Sequence, residues 1–336
     1  MISLFKDRTP VNLLFVFLLS ILVKAPLFLY PHDVVATQNG GDLYHLFVQG
    51  IHSFTNLKIL FSVAAFLLLV VQAFIINYIV NEYRLLPKAT FLPAMAYLLI
   101  TSLLPEWNFF SPALVANTFI IWSLSLLFKL YNVQDSKGKI FNMGLLIGVS
   151  SFIYFPSAAF LLCLLLGILI LKPFRFNEII LFFLGLIAPY YFFAGYLFLT
   201  DQFTRENLIP NFSVNVPTVK SNIYLAITTF LIAVPFLTGG FFVQGQLHRM
   251  LIQVRKNWSI FLLYLILAFF IPFINNSSTF SNWILVAVPF AVFHAAAYFY
   301  PKTNWFPVII FLLTLSFILF QQYGTPLWRQ ASNFTI

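Results

Sequence analysis

The chain has 336 residues, of which 61% are hydrophobic and only 8% charged, with 44 Phe among them. Charged residues make up about a quarter of an ordinary soluble domain, so a chain this poor in them has lipid as its main solvent. Disorder, a collagen-like fibre and a disulfide scaffold are excluded, the last because Cys163 is the sole cysteine. The net charge of +9 is no nucleic-acid signature, since the basic residues are scattered between apolar segments, where bilayer topology alone would put them.

A span needs roughly 20 apolar residues. The first run, 11–30, follows Lys6 and Arg8, which place the N-terminus in the cytoplasm; Pro26 and Pro31 close it without a small-x-small cleavage site, so it is expected to remain as an anchor. Segment 31–56 carries Asp33 and Asp42 and no Lys or Arg, and so belongs outside. Within it Leu43, Leu46, Phe47, Gly50, Ile51 and Phe54 recur at helical spacing, with His45, Gln49 and His52 opposite and Asp42 at the capping position. This outer loop is expected to hold a short amphipathic helix lying in the interface, entered through a tight turn at Asn39-Gly40-Gly41.

Further apolar runs lie at 57–80, 89–104, 112–128, 141–171, 179–199, 222–242, 258–273, 282–300 and 305–322. Arg84 and Lys88 fall inside, Glu106 outside, and Lys129, Lys137 and Lys139 inside. Lys172 and Arg175, beyond the 141–171 block, also belong inside, which a single crossing cannot satisfy. Splitting that block at Tyr154-Phe155-Pro156 gives two limbs of about 15 residues, roughly 22 Å each at helical rise, forming a hairpin or a re-entrant loop. Alternation then continues with 201–220 outside, Arg249, Arg255 and Lys256 inside, Asn275 and Asn276 outside, Lys302 inside and Arg329 outside. The fold expected is an all-α polytopic transmembrane helical bundle, with residues 1–336 as one integral membrane domain of about eleven crossings, N-terminus in and C-terminus out. Trp107, Trp258, Trp283, Trp305 and Trp328 are expected at span ends, at headgroup depth.

Asp42 and Asp33 sit in a loop near the lipid boundary, where a carboxylate can act as general base toward an acceptor hydroxyl or ligate a divalent ion. Capping alone also explains an Asp before an amphipathic stripe. Arg205 is the outer residue best shaped for an anionic headgroup, because its planar fork matches phosphate oxygens; pairing with Glu206 is the simpler account. Glu106 and His45 are further outer polar groups able to converge on such a site. Lys24 is an ionisable group inside the first run, a functional hypothesis by default, with snorkelling to the nearby surface as the alternative. His294 is a proton carrier or a packed neutral imidazole, and Gln72, Asn77 and Asn117 are expected to hydrogen-bond between helices.

The segments Tyr83-Arg84-Leu85-Leu86-Pro87-Lys88, Leu103-Leu104-Pro105-Glu106, Gly144-Leu145-Leu146-Ile147-Gly148, Tyr154-Phe155-Pro156, Lys172-Pro173-Phe174 and Leu199-Thr200-Asp201 resemble a family of polytopic bacterial inner-membrane proteins of undefined function. That resemblance covers about residues 1–320 and implies a multi-pass bacterial inner-membrane location. The arrangement of spans, acidic first outer loop and basic inner face also resembles the C-type membrane glycosyltransferases, which move a sugar from a polyprenyl-phosphate carrier. By that resemblance Asp42 or Asp33 would be the base, and Lys24 or Arg205 would hold the lipid phosphate; the adjacent acidic pair common in that loop is absent here. No cofactor is implied beyond a divalent ion as an alternative. The expected partners are membrane lipids, a polyprenyl-phosphate sugar and other membrane proteins. Two further readings are a non-catalytic subunit of an envelope complex and a transporter using Gly239-Gly240 as a hinge.

Overall fold

The structure is a computed structural model that describes residues 2–31, 40–41, 44–45, 48, 50, 57–133, 135–201, 222–274, 280–303 and 305–324. Among these residues the chain is helical without a strand. The main helices are α1 (Pro10–Lys24), α2 (Leu57–Glu82), α3 (Leu92–Leu103), α4 (Pro112–Phe128), α5 (Lys137–Ile153), α6 (Phe160–Leu171), α7 (Phe176–Leu199), α8 (Ile223–Gln246), α9 (Ile252–Phe270), α10 (Ala287–Phe299) and α11 (Trp305–Leu319). Their starts follow local chemistry. Thr9 accepts the Asn12 N–H at 3.2 Å and Ser111 accepts the Leu114 N–H at 3.2 Å, each followed by Pro at the first helical position, where its missing donor costs nothing.

Six helical stretches, Lys58–Glu82, Phe176–Leu199, Ile223–Arg249, Ile252–Phe273, Phe280–Phe299 and Trp305–Tyr323, are long and apolar enough to cross a membrane. The remaining main helices, α1, α3, α4, α5 and α6, have 12 to 17 residues, fewer than the roughly 20 of a full span. Helix α3 has 12 residues, about 18 Å against a hydrocarbon core of about 30 Å, and every one of them is buried. It packs against α1, α2, α10 and α11 and forms the centre of the bundle. An all-round apolar helix reads the same whether lipid or protein surrounds it; here protein does. Leu, Phe and Ile side chains of α1, α7, α8 and α9 instead point outward.

The break expected in the 141–171 block is present. Helix α5 ends at Ile153, Tyr154 is extended, Phe155–Ala159 forms a 3-10 turn, and α6 follows. Lys172, just past α6, donates to Ser136 Oγ, just before α5, at 2.5 Å, so the two limbs return to the same end. At that end Asp7 pairs with Lys88, the Phe91 N–H donates to Phe5 O at 2.9 Å, and the Lys256 ammonium stands 5.6 Å from the Tyr131 ring centre. At the opposite end Lys24 reaches the end of α3, and 3-10 segments at Pro105–Asn108, Phe155–Ala159, Ile271–Phe273 and Phe280–Val286 pack together. Each of these contacts joins loops that the charge pattern assigns to one face.

Tryptophan placement differs from expectation. Trp258 is buried in α9 against Phe293, ring centres 5.0 Å apart, and Trp107 is buried with its indole N–H on Phe280 O at 2.8 Å. Of the four described, only Trp305 presents its ring outward, while Trp283 is half-buried; Trp328 lies outside the described residues. A large aromatic at a span end fills a core gap as readily as it reaches a headgroup.

Polar residues tie the middle together. Gln72 donates to Leu114 O at 2.8 Å and to Thr118 Oγ1 at 2.7 Å, and accepts from the Tyr97 hydroxyl. Asn117 donates to Tyr97 Oη at 3.1 Å and accepts from the Tyr264 hydroxyl at 3.4 Å, linking α2, α3, α4 and α9 as the sequence suggests. Asn77 is buried, but its Oδ1 has no partner among the described residues. Helices α5 and α7 meet backbone to backbone. A Cβ on Gly144 would stand 2.0 Å from Phe182 O, and one on Gly185 would stand 2.2 Å from Phe141 O. Gly185→Leu is therefore expected to separate α5 from α7 and lower stability by about 1–3 kcal/mol or more, read as a fall in the melting temperature of the purified protein, whereas Gly195→Ala, inside the same helix with open space around it, does not lower it.

Candidate functional site

The end of the bundle that holds the 3-10 segments carries the described candidates. Lys24, the last residue of α1, is only 1% exposed. Its Nζ donates to Thr101 Oγ1 at 2.8 Å and to Asn108 Oδ1 in the turn after α3. Both acceptors are neutral, and among the described residues no carboxylate pairs with it. The snorkelling account is thus set aside: the side chain turns into the bundle toward its central helix rather than out to the headgroups. A cation held this way is desolvated without an ionic partner, a costly arrangement that favours any anion brought beside it.

Glu106 shares the Pro105–Asn108 turn with Asn108. Its carboxylate accepts the backbone N–H groups of Phe280 and Ser281, the first residues of the Phe280–Val286 3-10 segment, and so caps that segment. Burial pushes its pKa up, and the two backbone N–H donors pull part of the way back down. Sequence reasoning offers Glu106 as a polar group able to converge on a substrate site, and the structure shows its carboxylate capping this segment.

The outer loop docks on the same end. Gly41 donates its N–H to Ile153 O at 2.8 Å, and a Cβ there would lie 1.9 Å from Phe152 O, so only glycine allows the approach. Tyr44 is buried and stacks on Phe110, ring centres 5.9 Å apart. Tyr44, His45, Val48 and Gly50 have helical backbone, as the spacing predicts. The buried side chains among them are Tyr44 and Val48, and Gly50 is exposed, while Leu43, Leu46, Phe47, Ile51 and Phe54 of the stripe lie outside the described residues. His45 is half-buried, its ring 6.3 Å from that of Tyr44. Asp33, Asp42 and Arg205 lie outside the described residues.

Two residues weighed for transport are accounted for by packing. His294 is buried in α10, and its Nε2–H donates to Ile232 O at 2.8 Å, just before Pro235 interrupts the hydrogen-bond ladder of α8. A Cβ on Gly239 would sit 2.0 Å from Phe293 O, so this glycine lets α8 and α10 touch.

Sequence reasoning missed a buried cluster at the other end. Lys172 and Glu178, 7% and 6% exposed, form an ion pair at 2.8 Å, joined by Ser136 and flanked by Arg175 at 4.0 Å. The signal available was Glu178 itself, an acid among basic residues at a helix start, where the dipole also favours it. Among the described residues no group of three or more His, Cys, Asp or Glu is placed to hold a metal ion.

Comparison with protein-family models, with curated proteins and with solved structures gives no match.

The raised pKa of Glu106 has a signed consequence for stability. A group whose folded pKa lies above its unfolded value stabilises the fold most when protonated, and that contribution fades as pH rises through the folded pKa. Measured against Glu106→Gln, which keeps an acceptor but does not titrate, wild-type stability should be greatest in acid and decline toward neutral pH. A stability difference that does not change with pH would show that the carboxyl does not titrate with folding.

Proposed function

We propose that the protein is a multi-pass membrane protein of the bacterial inner membrane that acts on a lipid-linked anionic substrate, a polyprenyl-phosphate sugar, at the end of the bundle holding Lys24 and the acidic outer loop. The observation that carries this reading is the docking of that loop onto the turn that engages Lys24. Gly41 and Tyr44 flank Asp42 in sequence, and Tyr44 stacks on Phe110, two residues from the Asn108 that accepts from the lysine. In this reading Asp42 takes the proton from an acceptor hydroxyl and its oxygen attacks the anomeric carbon. The carbon–oxygen bond to the lipid phosphate breaks, and Lys24 stabilises the departing phosphate, with Asp33, Arg205 and His45 as further contacts. The full set of about eleven crossings, N-terminus inside, belongs to the same proposal; it puts this end on the outer leaflet.

A second reading, a subunit that holds an envelope complex together, draws on α7. This helix packs chiefly on α5 and turns Tyr191, Phe192, Tyr196, Phe198 and Leu199 outward. An outward row of aromatics suits a neighbouring membrane protein as well as lipid.

Purified protein in native lipid, offered polyprenyl-phosphate sugars, distinguishes the two. Turnover is expected, reduced at least about 100-fold in Asp42→Asn and in Lys24→Met. Full turnover in both variants removes these residues from the chemistry. Absence of turnover with every donor, together with loss of a co-purifying membrane protein on Phe192→Ala, establishes the subunit reading instead.

A further inference from the structure

The opposite, basic end has a groove of about 230 Å³ between the loop after α2, the end of α8 and the end of α10. Arg84, Gln246, Arg249 and Tyr300 line it with polar groups, and Leu85 and Met250 are among its apolar walls. Neither guanidinium is in an ion pair among the described residues. The Tyr300 hydroxyl is buried and has no hydrogen-bond partner among them either. A groove that offers two guanidinium forks free of ion pairs among the described residues, with apolar walls, matches a phosphate carrying acyl chains.

The backbone at Arg84 adds an independent argument. Helix α2 ends in a Schellman motif: the Leu85 N–H reaches Val80 O at 3.0 Å and the Arg84 N–H reaches Asn81 O at 3.3 Å. Arg84 sits at its left-handed position, with φ of 50°, where glycine is the relaxed choice. An arginine there holds a strained backbone and gains no ion pair. Its position at the helix C-terminus, favourable for any cation, is matched by many positions that impose no such strain.

We infer that this groove binds the phosphate headgroup of an anionic phospholipid, with Arg84 and Arg249 on the phosphate oxygens. The lipid, rather than a free phosphate compound, is the occupant because the groove adjoins the outward apolar faces of α8 and α9, where acyl chains lie, and its walls are apolar.

Native mass spectrometry of the purified protein with added phosphatidylglycerol or phosphatidylcholine tests this, with soluble glycerol phosphate as competitor. The expected result is preferential retention of phosphatidylglycerol, reduced about five-fold by Arg84→Gly and again by Arg249→Gln. Arg84→Gly relaxes the backbone, so its melting temperature should equal or exceed that of wild type, which separates lost binding from lost folding. Equal retention of the two lipids overturns the inference, as does undiminished phosphatidylglycerol binding in the folded Arg84→Gly variant. Displacement by glycerol phosphate at concentrations comparable to the lipid overturns the lipid assignment in favour of a soluble phosphate.

Discussion

In hydrocarbon a broken helix has no water to receive its freed backbone groups, so each break must be satisfied by the protein itself. Among the described residues, the four 3-10 segments Pro105–Asn108, Phe155–Ala159, Ile271–Phe273 and Phe280–Val286 are gathered at one end. Around Tyr154 the Tyr154 N–H reaches Ser150 O, the Ser157 N–H reaches Tyr154 O, and the hydroxyls of Ser150 and Ser157 bond each other at 2.8 Å. Ile153 O, at the open end of α5, accepts from Gly41 of the outer loop. The Phe280–Val286 segment starts on the Glu106 carboxylate, and its first carbonyl takes the Trp107 indole N–H. The outer loop, the turn after α3 and the broken hairpin are thereby one hydrogen-bonded assembly, and that assembly positions Lys24.

Much of this was legible in the sequence because the signals are local. Pro156 marks its break through a missing donor and a steric clash, and the charges that flank the block demand a return to the same face, which the Lys172–Ser136 bond joins. Gln72 and Asn117 are amides inside apolar runs, and such groups find partners on neighbouring helices. What escaped depends on what surrounds a residue. Hydropathy cannot tell lipid from protein, so the sequence does not show that α3 is enclosed by other helices on every side or that Trp258 is packed on Phe293. The partner of Glu106 lies 174 residues further on, a separation at which no periodicity connects them.

The glycines divide by the same logic. Gly144, Gly148 and Gly185 form a tight crossing whose value is the contact of two backbones, since apolar side chains gain little by leaving lipid for one another. Gly239 does the same for α8 and α10, which lets a span with a proline inside it stay packed. Small residues therefore set which helices are rigidly joined. Helix α7 is fastened to α5 by such a seam and leaves its other faces outward.

The two buried lysines show where function is to be sought. Lys172 has an ionic partner, and removing either member strands the other charge, so its burial follows from the pair closing the hairpin. Lys24 has only a hydroxyl and an amide, and a methionine of similar length would fill the same space without desolvating a charge. Packing therefore gives no reason for a cation at the end of α1. Glu106, equally polar and nearby, is accounted for by the segment it caps. The charge that packing leaves unexplained is the lysine, and the Asn108 that accepts from it lies two residues before Phe110, on which Tyr44 of the 31–56 segment stacks; the proposed chemistry rests on that side chain for this reason.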